Sequence, residues 1–365
     1  MPFQLDQTQH GVKVGAVKNR NHVTKSALAS LRLAMKAYFK TYYICHKRNI
    51  IGQMNVMREN PFYDECQQSI TDLCENIEYQ ELYIQTVFHF HHFFELLLKD
   101  ILASVHKNLA LKISLDGNDS VEILNILLNT GKADISLDNT AEFNCALERV
   151  YKLKEYEDGP VPIVVKTIDD NKQTLKDLNL LRNRAWHKGI YILRITELDQ
   201  FISQNVLPLV ERVIQQTEYN KLQAYWKYTE GTKLDPIVQI ILAGQSKPIN
   251  YKRIAFFKTY GLACYNYKKT WNLELDETRK KTKAIVNAVH DLTLEKCYVC
   301  NENTLIVSTI SDHETDQDGN LLNAWWNTTA AECLNCSLSL FPDVGEPKSY
   351  GVAIGKLWKS GDYEL

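Results

Sequence analysis

Cysteine spacing constrains this chain more than any other feature. Cys297-Tyr-Val-Cys300 and Cys333-Leu-Asn-Cys336 form two Cys-x-x-Cys pairs with 32 residues between them. Each pair makes a tight turn that presents two thiolates together, and two such turns close a tetrahedron around one metal ion at roughly 2.3 Å per bond. The strands and hairpin expected between them are too short to fold alone, so metal binding supplies the missing free energy. Four sulfur ligands leave no position open for water, which makes the expected site structural, with one zinc ion. The remaining cysteines, Cys45, Cys66, Cys74, Cys145 and Cys264, are scattered singly, and the total of nine is odd. In a reducing compartment, clustered pairs of this kind point to metal and not to disulfides.

Between and beyond the pairs, Leu305-Ile306-Val307 and Leu338–Phe341 read as strands, with Asp318-Gly319 as a hairpin turn. The segment from Cys297 to Phe341 resembles a zinc ribbon. Asp312-His313 lies where zinc-stapled HNH nucleases carry an Asp-His pair, but His313 is the last histidine of the chain, so the second histidine of such a centre is missing. Glu314, Asp316, Asp318 and Gly319 echo a calcium loop, whose twelfth position here would be Trp325 instead of glutamate. The run therefore reads as a hairpin tip. Trp325 and Trp326 either stack on a base or a partner side chain, or pack beside the metal.

Upstream the pattern is helical. Leu28, Leu31, Leu33, Met35, Tyr38, Phe39 and Tyr42 place an amphipathic helix over 23–48, after a polar lead-in at 1–22. Nine lysines and arginines in the first fifty residues face only Asp6. With Tyr38, Tyr42 and Tyr43 between them, they form either a phosphate-tracking surface or a solvated face balanced from elsewhere. Residues 70–107 read as one or two helices, and VFHFHHFFELLLKDIL, apolar around most of its circumference, belongs at the centre of a bundle. His89, His91 and His92 diverge too widely around a helix to share a metal, and read as satisfied core histidines. Further helices are expected at 119–128, 140–156 and 173–183, and a long one from Thr196 carries Pro208 as a kink or break.

The expected fold class is thus mainly α: a helical bundle over 23–230, a basic connecting region over 236–296, and a small α+β, ribbon-like module over 297–365. A length of 365 residues allows two or three domains. Net charge is −2, with 24% charged and 45% apolar residues, values of a soluble chain not tuned as a whole to nucleic acid or membrane. The longest apolar stretch, Tyr83 to Leu102, is broken by charged residues and histidines, and the N-terminus lacks the layout of a signal peptide. A cytoplasmic protein with no membrane partner is the expectation.

One short string carries chemistry: Leu-Leu-Arg182-Asn183-Arg184-Ala185-Trp186-His187-Lys188-Gly189. Arginine stays charged and offers a planar fork to phosphate oxygens, while histidine exchanges protons near neutral pH. Asn183, four residues before His187, shares its face if the helix continues. The plain alternative is a helix end with favourable cations and a glycine cap at Gly189. With FELLLKDIL about 85 residues earlier and a long amphipathic helix after it, the string resembles the Rx4H motif of the HEPN family, helical-bundle proteins that include metal-independent ribonucleases.

That resemblance implies an endoribonuclease with Arg182, His187 and Asn183 as catalytic residues, flanked by Arg184 and Lys188 for substrate binding. It also implies a glutamate near the cleft, for which Glu95 is the candidate. His91, Glu95 and Lys99 share a helix face, so a structural ion pair is the competing reading. Two protomers would face each other, making a homodimer whose chemistry needs no metal. Such proteins serve as toxins or antiphage effectors that cut tRNA or other cellular RNA, and here the zinc module would recognise a protein or phage-derived trigger, a partner or the RNA. Some members only bind RNA or nucleotides, which keeps a non-catalytic binding protein as the alternative. The chain contains no GxxxxGK[S/T], so an ATP-driven partner would be a separate chain.

Overall fold

The computed structural model describes residues 21–59, 64–111, 140–155, 161–187, 191–228, 234–267, 272–316, 318 and 321–362. The helix expected at 119–128, residues 1–20 of the lead-in, and Gly189 and Gly319 lie outside the described residues. The fold is mainly α, followed by a small antiparallel sheet that carries the four paired cysteines. Among the described residues, no helix is long and apolar enough to cross a membrane.

The helices are α1 (Asn21–Lys47), α2 (Ile50–Glu59), α3 (Asp64–Asp72), α4 (Ile77–Val105), α5 (Phe143–Leu153), α6 (Ile163–Asp170), α7 (Lys172–His187), α8 (Ile195–Phe201), α9 (Leu207–Gln215), α10 (Pro236–Gln245), α11 (Tyr251–Asn266) and α12 (Asn272–Ala288). The stretch 70–107 is two helices. A short tight turn at Leu73–Glu75 separates them, and the Asn76 side chain restarts the second by accepting the Tyr79 N–H at 2.9 Å. The helix expected from Thr196 is divided at Ile202–Val206 by a wider turn, closed by the Leu207 N–H bonding back to the Ile202 carbonyl. Pro208 explains the break, because it has no N–H for the carbonyl four residues earlier.

The chain forms two compact units. The first comprises the described residues of Met1–Arg32, His89–Asn179 and Val213–Trp226; the second comprises those of Leu33–Phe88, Leu180–Arg212 and Lys227–Leu365. In the first, Phe90, Phe93, Phe94, Leu97 and Leu98 of α4 are buried, as the apolar circumference predicts. Val164, Val165 and Ile168 of α6 and Leu175 and Leu178 of α7 complete that core. The Arg149 guanidinium ties it at one edge by donating to the carbonyls of Leu109 and Leu111 at 2.7 and 2.6 Å.

The second unit is built around α11, in which every residue from Ile254 to Tyr265 is buried. Composition made 236–296 a basic connecting region; in the structure it is three helices and the first strand, with one of its lysines inside the core. Gly261 makes this packing possible, since a Cβ there would lie 2.4 Å from the Phe39 ring of α1. Lys258 is 2% exposed and bonds the Asp199 carboxylate of α8 at 2.5 Å and the Thr41 hydroxyl of α1 at 2.9 Å. Burial pushes the Asp199 carboxyl above its usual range, and Lys258 works against that rise. Tyr38 and Tyr42 are buried, so of the three tyrosines expected to interleave the basic face only Tyr43 keeps partial exposure.

The sheet is antiparallel throughout. Its strands are β1 (Leu292–Glu295), β2 (Leu305–Thr315), β3 (Leu321–Cys333), β4 (Ser339–Leu340) and β5 (Ser360–Asp362). β1 lies outside β2, while β4 and β5 pair with successive stretches of β3 on its far edge. Residues 305–307 are buried and those beyond Ile310 are exposed, so the β2–β3 hairpin begins in the core and ends as an open arm. Asp312 and His313 stand on that exposed arm, with Asp318 bonded back to Asp316 at its tip. Trp326 packs against Gly361 of β5.

Replacing Lys258 with Met strands a buried carboxylate and lowers stability by about 3–5 kcal/mol, whereas the Lys258→Met/Asp199→Leu double variant recovers most of the loss. Urea unfolding followed by tyrosine and tryptophan fluorescence measures both.

Candidate functional site

The four cysteines come together as their spacing requires. Cys297 and Cys300 lie on the turn between β1 and β2, Cys333 ends β3, and Cys336 lies on the turn before β4. Both turns close alike: the Asn301 N–H bonds the Cys297 carbonyl at 3.1 Å, and the Ser337 N–H bonds the Cys333 carbonyl at 2.9 Å. The residue after each second cysteine is left-handed, with φ of 63° at Asn301 and 58° at Ser337. A cross-bond from the Leu334 N–H to the Thr304 carbonyl at 3.1 Å locks one turn to the other.

All four sulfurs are buried and lie within 4.8 Å of one another. The Cys297–Cys336 and Cys300–Cys333 separations are 3.5 and 3.6 Å. A tetrahedron with metal–sulfur bonds of about 2.3 Å has edges of about 3.8 Å, so these residues fit a single ion. Hydrogen bonding from Cys297 pulls the Cys300 thiol far below its ordinary range and brings Cys333 to about 7. The converse interactions drive Cys297 and Cys336 up. Without a cation the cluster can carry only part of its charge; a bound ion allows all four thiols to ionise. Among the described residues this is the one group of three or more such side chains close enough to hold a metal.

The Arg182 motif occupies the last turns of α7, which exists here because Leu175, Leu178 and Leu181 bury one face. Arg182, Asn183 and Arg184 are half-buried. The Arg182 guanidinium donates to the Asn183 side-chain oxygen at 2.9 Å and lies 5.5 Å from the Phe88 ring centre. No carboxylate pairs with it among the described residues. Arg184 lies 4.8 Å from the Tyr191 ring centre. His187 is the final residue of α7; its side chain, and Lys188 entirely, lie outside the described residues.

Glu95 belongs to the other compact unit. Its carboxylate takes the Lys99 ammonium at 2.6 Å, and His91 Nδ1 is 3.9 Å away. Lys99 also donates to Thr140, His91 Nε2 meets the Asn179 oxygen at 2.9 Å, and Asn179 donates to Asn144. His92 Nδ1 meets the Ser30 hydroxyl at 2.7 Å. His91 is thus a buried, hydrogen-bonded histidine, as expected of a core position, whereas His92 is hydrogen-bonded but exposed and His89 is half-buried.

No known protein family, curated protein or solved structure matches this chain.

Two arrangements gave no signal in the sequence. The Lys258–Asp199 pair joins residues 59 apart, and His46 meets Asp343 across 297 residues. Neither pair lies in a local pattern, so only the fold brings the partners together.

Replacing Cys300 or Cys336 with serine removes the bound metal, and chelation of the unaltered protein exposes 297–341 to proteolysis. Cobalt(II) titration followed by thiolate-to-metal absorption checks the count, expected to be one ion per chain with Cys45→Ser and Cys264→Ser unchanged.

Proposed function

We propose that the chain is a metal-independent endoribonuclease of the HEPN kind, working in the cytoplasm as a homodimer, with zinc as the structural ion of its cysteine cluster. The observation that supports this reading is Arg182. It is a half-buried guanidinium at the end of a bundle helix, oriented by Asn183 and not neutralised by any described carboxylate. An arginine kept in that state offers its remaining donors to an anion, and the planar fork matches phosphate oxygens.

The chemistry follows from the residue types. His187 removes the proton from an RNA 2′-hydroxyl, and the oxygen so freed bonds to the adjacent phosphorus. The bond from phosphorus to the 5′-oxygen breaks, that oxygen takes a proton, and a 2′,3′-cyclic phosphate remains on the upstream product. Arg182 carries the charge that builds on the phosphoryl oxygens, from which its advantage over a neutral donor derives. Asn183 holds the guanidinium in register as a positioning residue. Glu95 is engaged by Lys99, and this reading gives it no proton to move. Arg184, stacked near Tyr191, holds the strand beside the cleavage point.

Zinc suits four buried thiolates better than the oxygen-seeking cations, and no sulfur position remains for chemistry. The reading gives the ribbon a recognition role, with a protein or phage-derived trigger as its partner and a toxin or antiphage effector as the biological setting. A non-catalytic protein that binds RNA or a nucleotide would use the same unpaired guanidinium, and the variants below separate the two.

His187→Ala lowers the cleavage rate on bulk tRNA by about 10²–10⁴-fold, and Arg182→Ala does so comparably. EDTA leaves the initial rate intact while the ribbon slowly loses its metal. Intact tRNA with the unaltered protein, or activity that stops at once with chelator and returns with magnesium, overturns the nuclease reading. Gel analysis with 3′-end mapping of the products measures each outcome.

A further inference from the structure

The end of α1 and the second cysteine turn share an open cavity of about 600 Å³, inside the second unit, with Tyr43, His46, Lys47, Glu332, Ser339 and Phe341 in its wall. That is within the size range of small-ligand sites, about 300–1,000 Å³. His46 is held in this wall with unusual firmness. Its Nδ1 lies 2.8 Å from one oxygen of Asp343, whose other oxygen accepts from the Tyr42 hydroxyl at 3.3 Å. The imidazole also stacks on Phe341, with ring centres 3.6 Å apart and planes 11° apart. The Asp343 side chain is 12% exposed and that of His46 is 28% exposed. A half-buried carboxylate that accepts the Nδ1–H hydrogen bond fixes the tautomer and the ring plane, so Nε2, with its lone pair, is the nitrogen available to a ligand.

The rest of the wall narrows the class of ligand. Lys47 is exposed and 3.9 Å from Glu78, too far for a hydrogen bond. Glu332 is exposed, with one long bond of 3.3 Å from the Ser339 hydroxyl. A bare inorganic anion would meet Glu332 as a repulsive charge, and an apolar ligand would strand both ions. A ribonucleotide satisfies all of them. Its phosphate suits the Lys47 ammonium, its ribose hydroxyls donate to the Glu332 carboxylate and to His46 Nε2, and its base has the half-buried Tyr43 ring beside it. We propose that this cavity binds a ribonucleotide unit, either a free mononucleotide or the terminal residue of an RNA strand. The proposal does not rest on cleavage at Arg182 and His187.

The test is calorimetric titration of the full chain with AMP, dAMP, inorganic phosphate and a short RNA ending in a free ribose. Saturable binding of AMP or of the RNA is expected, with dAMP about tenfold weaker because one donor to Glu332 is lost. Saturation by AMP identifies the free nucleotide, and saturation by the RNA alone identifies the strand end. Lys47→Ala, at an exposed position that folding does not need, weakens binding about tenfold. His46→Gln gives a comparable loss, read alongside circular dichroism, and Glu332→Gln removes the preference for AMP over dAMP. Lys221→Ala, at an exposed position of the first unit, leaves all affinities unchanged. The proposal fails if neither AMP nor RNA saturates the unaltered protein, if Lys47→Ala and Glu332→Gln both bind as it does, or if Arg182→Ala abolishes AMP binding, which would move the ligand to the end of α7.

Discussion

Four sulfurs within 4.8 Å of one another set the terms for the C-terminal half of the second unit. Like partial charges at that distance repel, and burial removes the water that would screen them. A cation at their centre would offset both costs with four attractive contacts, which would make the turns and the hairpin base one cooperative element. The consequences spread along the chain from there. β2 and β3 are held at their roots, β4 follows the second turn directly, and the Ser339 carbonyl accepts from the Thr259 hydroxyl of α11 at 2.7 Å. The most buried helix of the unit is thereby fastened to the four-cysteine module.

The same helix illustrates how far local reading can go astray. Lys258 is one of the eleven lysines and arginines that gave 236–296 its basic character, and composition alone cannot distinguish a solvated lysine from one whose counter-charge waits 59 residues upstream. Ile163–Asp170 is a helix for which the sequence set no expectation. Its β-branched run carries little helical propensity, yet it forms α6 because Val164, Val165 and Ile168 bury together, and packing outweighs propensity in a short helix.

Elsewhere the patterns are local, and the sequence is transparent. The cysteine pairs announce their geometry because a metal site depends on spacing within a turn and on little else. Leu175, Leu178 and Leu181 place α7, and with it Arg182 and Asn183, because three-residue spacing is enough to define a buried face. The His91–Glu95–Lys99 series was legible for the same reason, including the competing ion-pair reading that the contact at 2.6 Å fits. What stays hidden is any pairing between distant segments, where no periodicity links one partner to the other.

His46 and Asp343 are the sharpest example, and they show why the cysteine cluster matters beyond its own four residues. Phe341 and Asp343 follow the second cysteine turn by a few residues, so their positions depend on that turn being closed. The Tyr43 hydroxyl reaches the Ser337 carbonyl on the turn itself at 3.4 Å. An imidazole near the end of a long helix has many rotamers open to it, and each one costs entropy to exclude. Here the exclusion is made by groups that follow the second cysteine turn: a stacked ring and a half-buried carboxylate on one side of the histidine, with the helix supplying the other. A cysteine cluster able to hold a structural ion can in this way set the orientation of a side chain outside it, which links the small sheet to the helices packed against it.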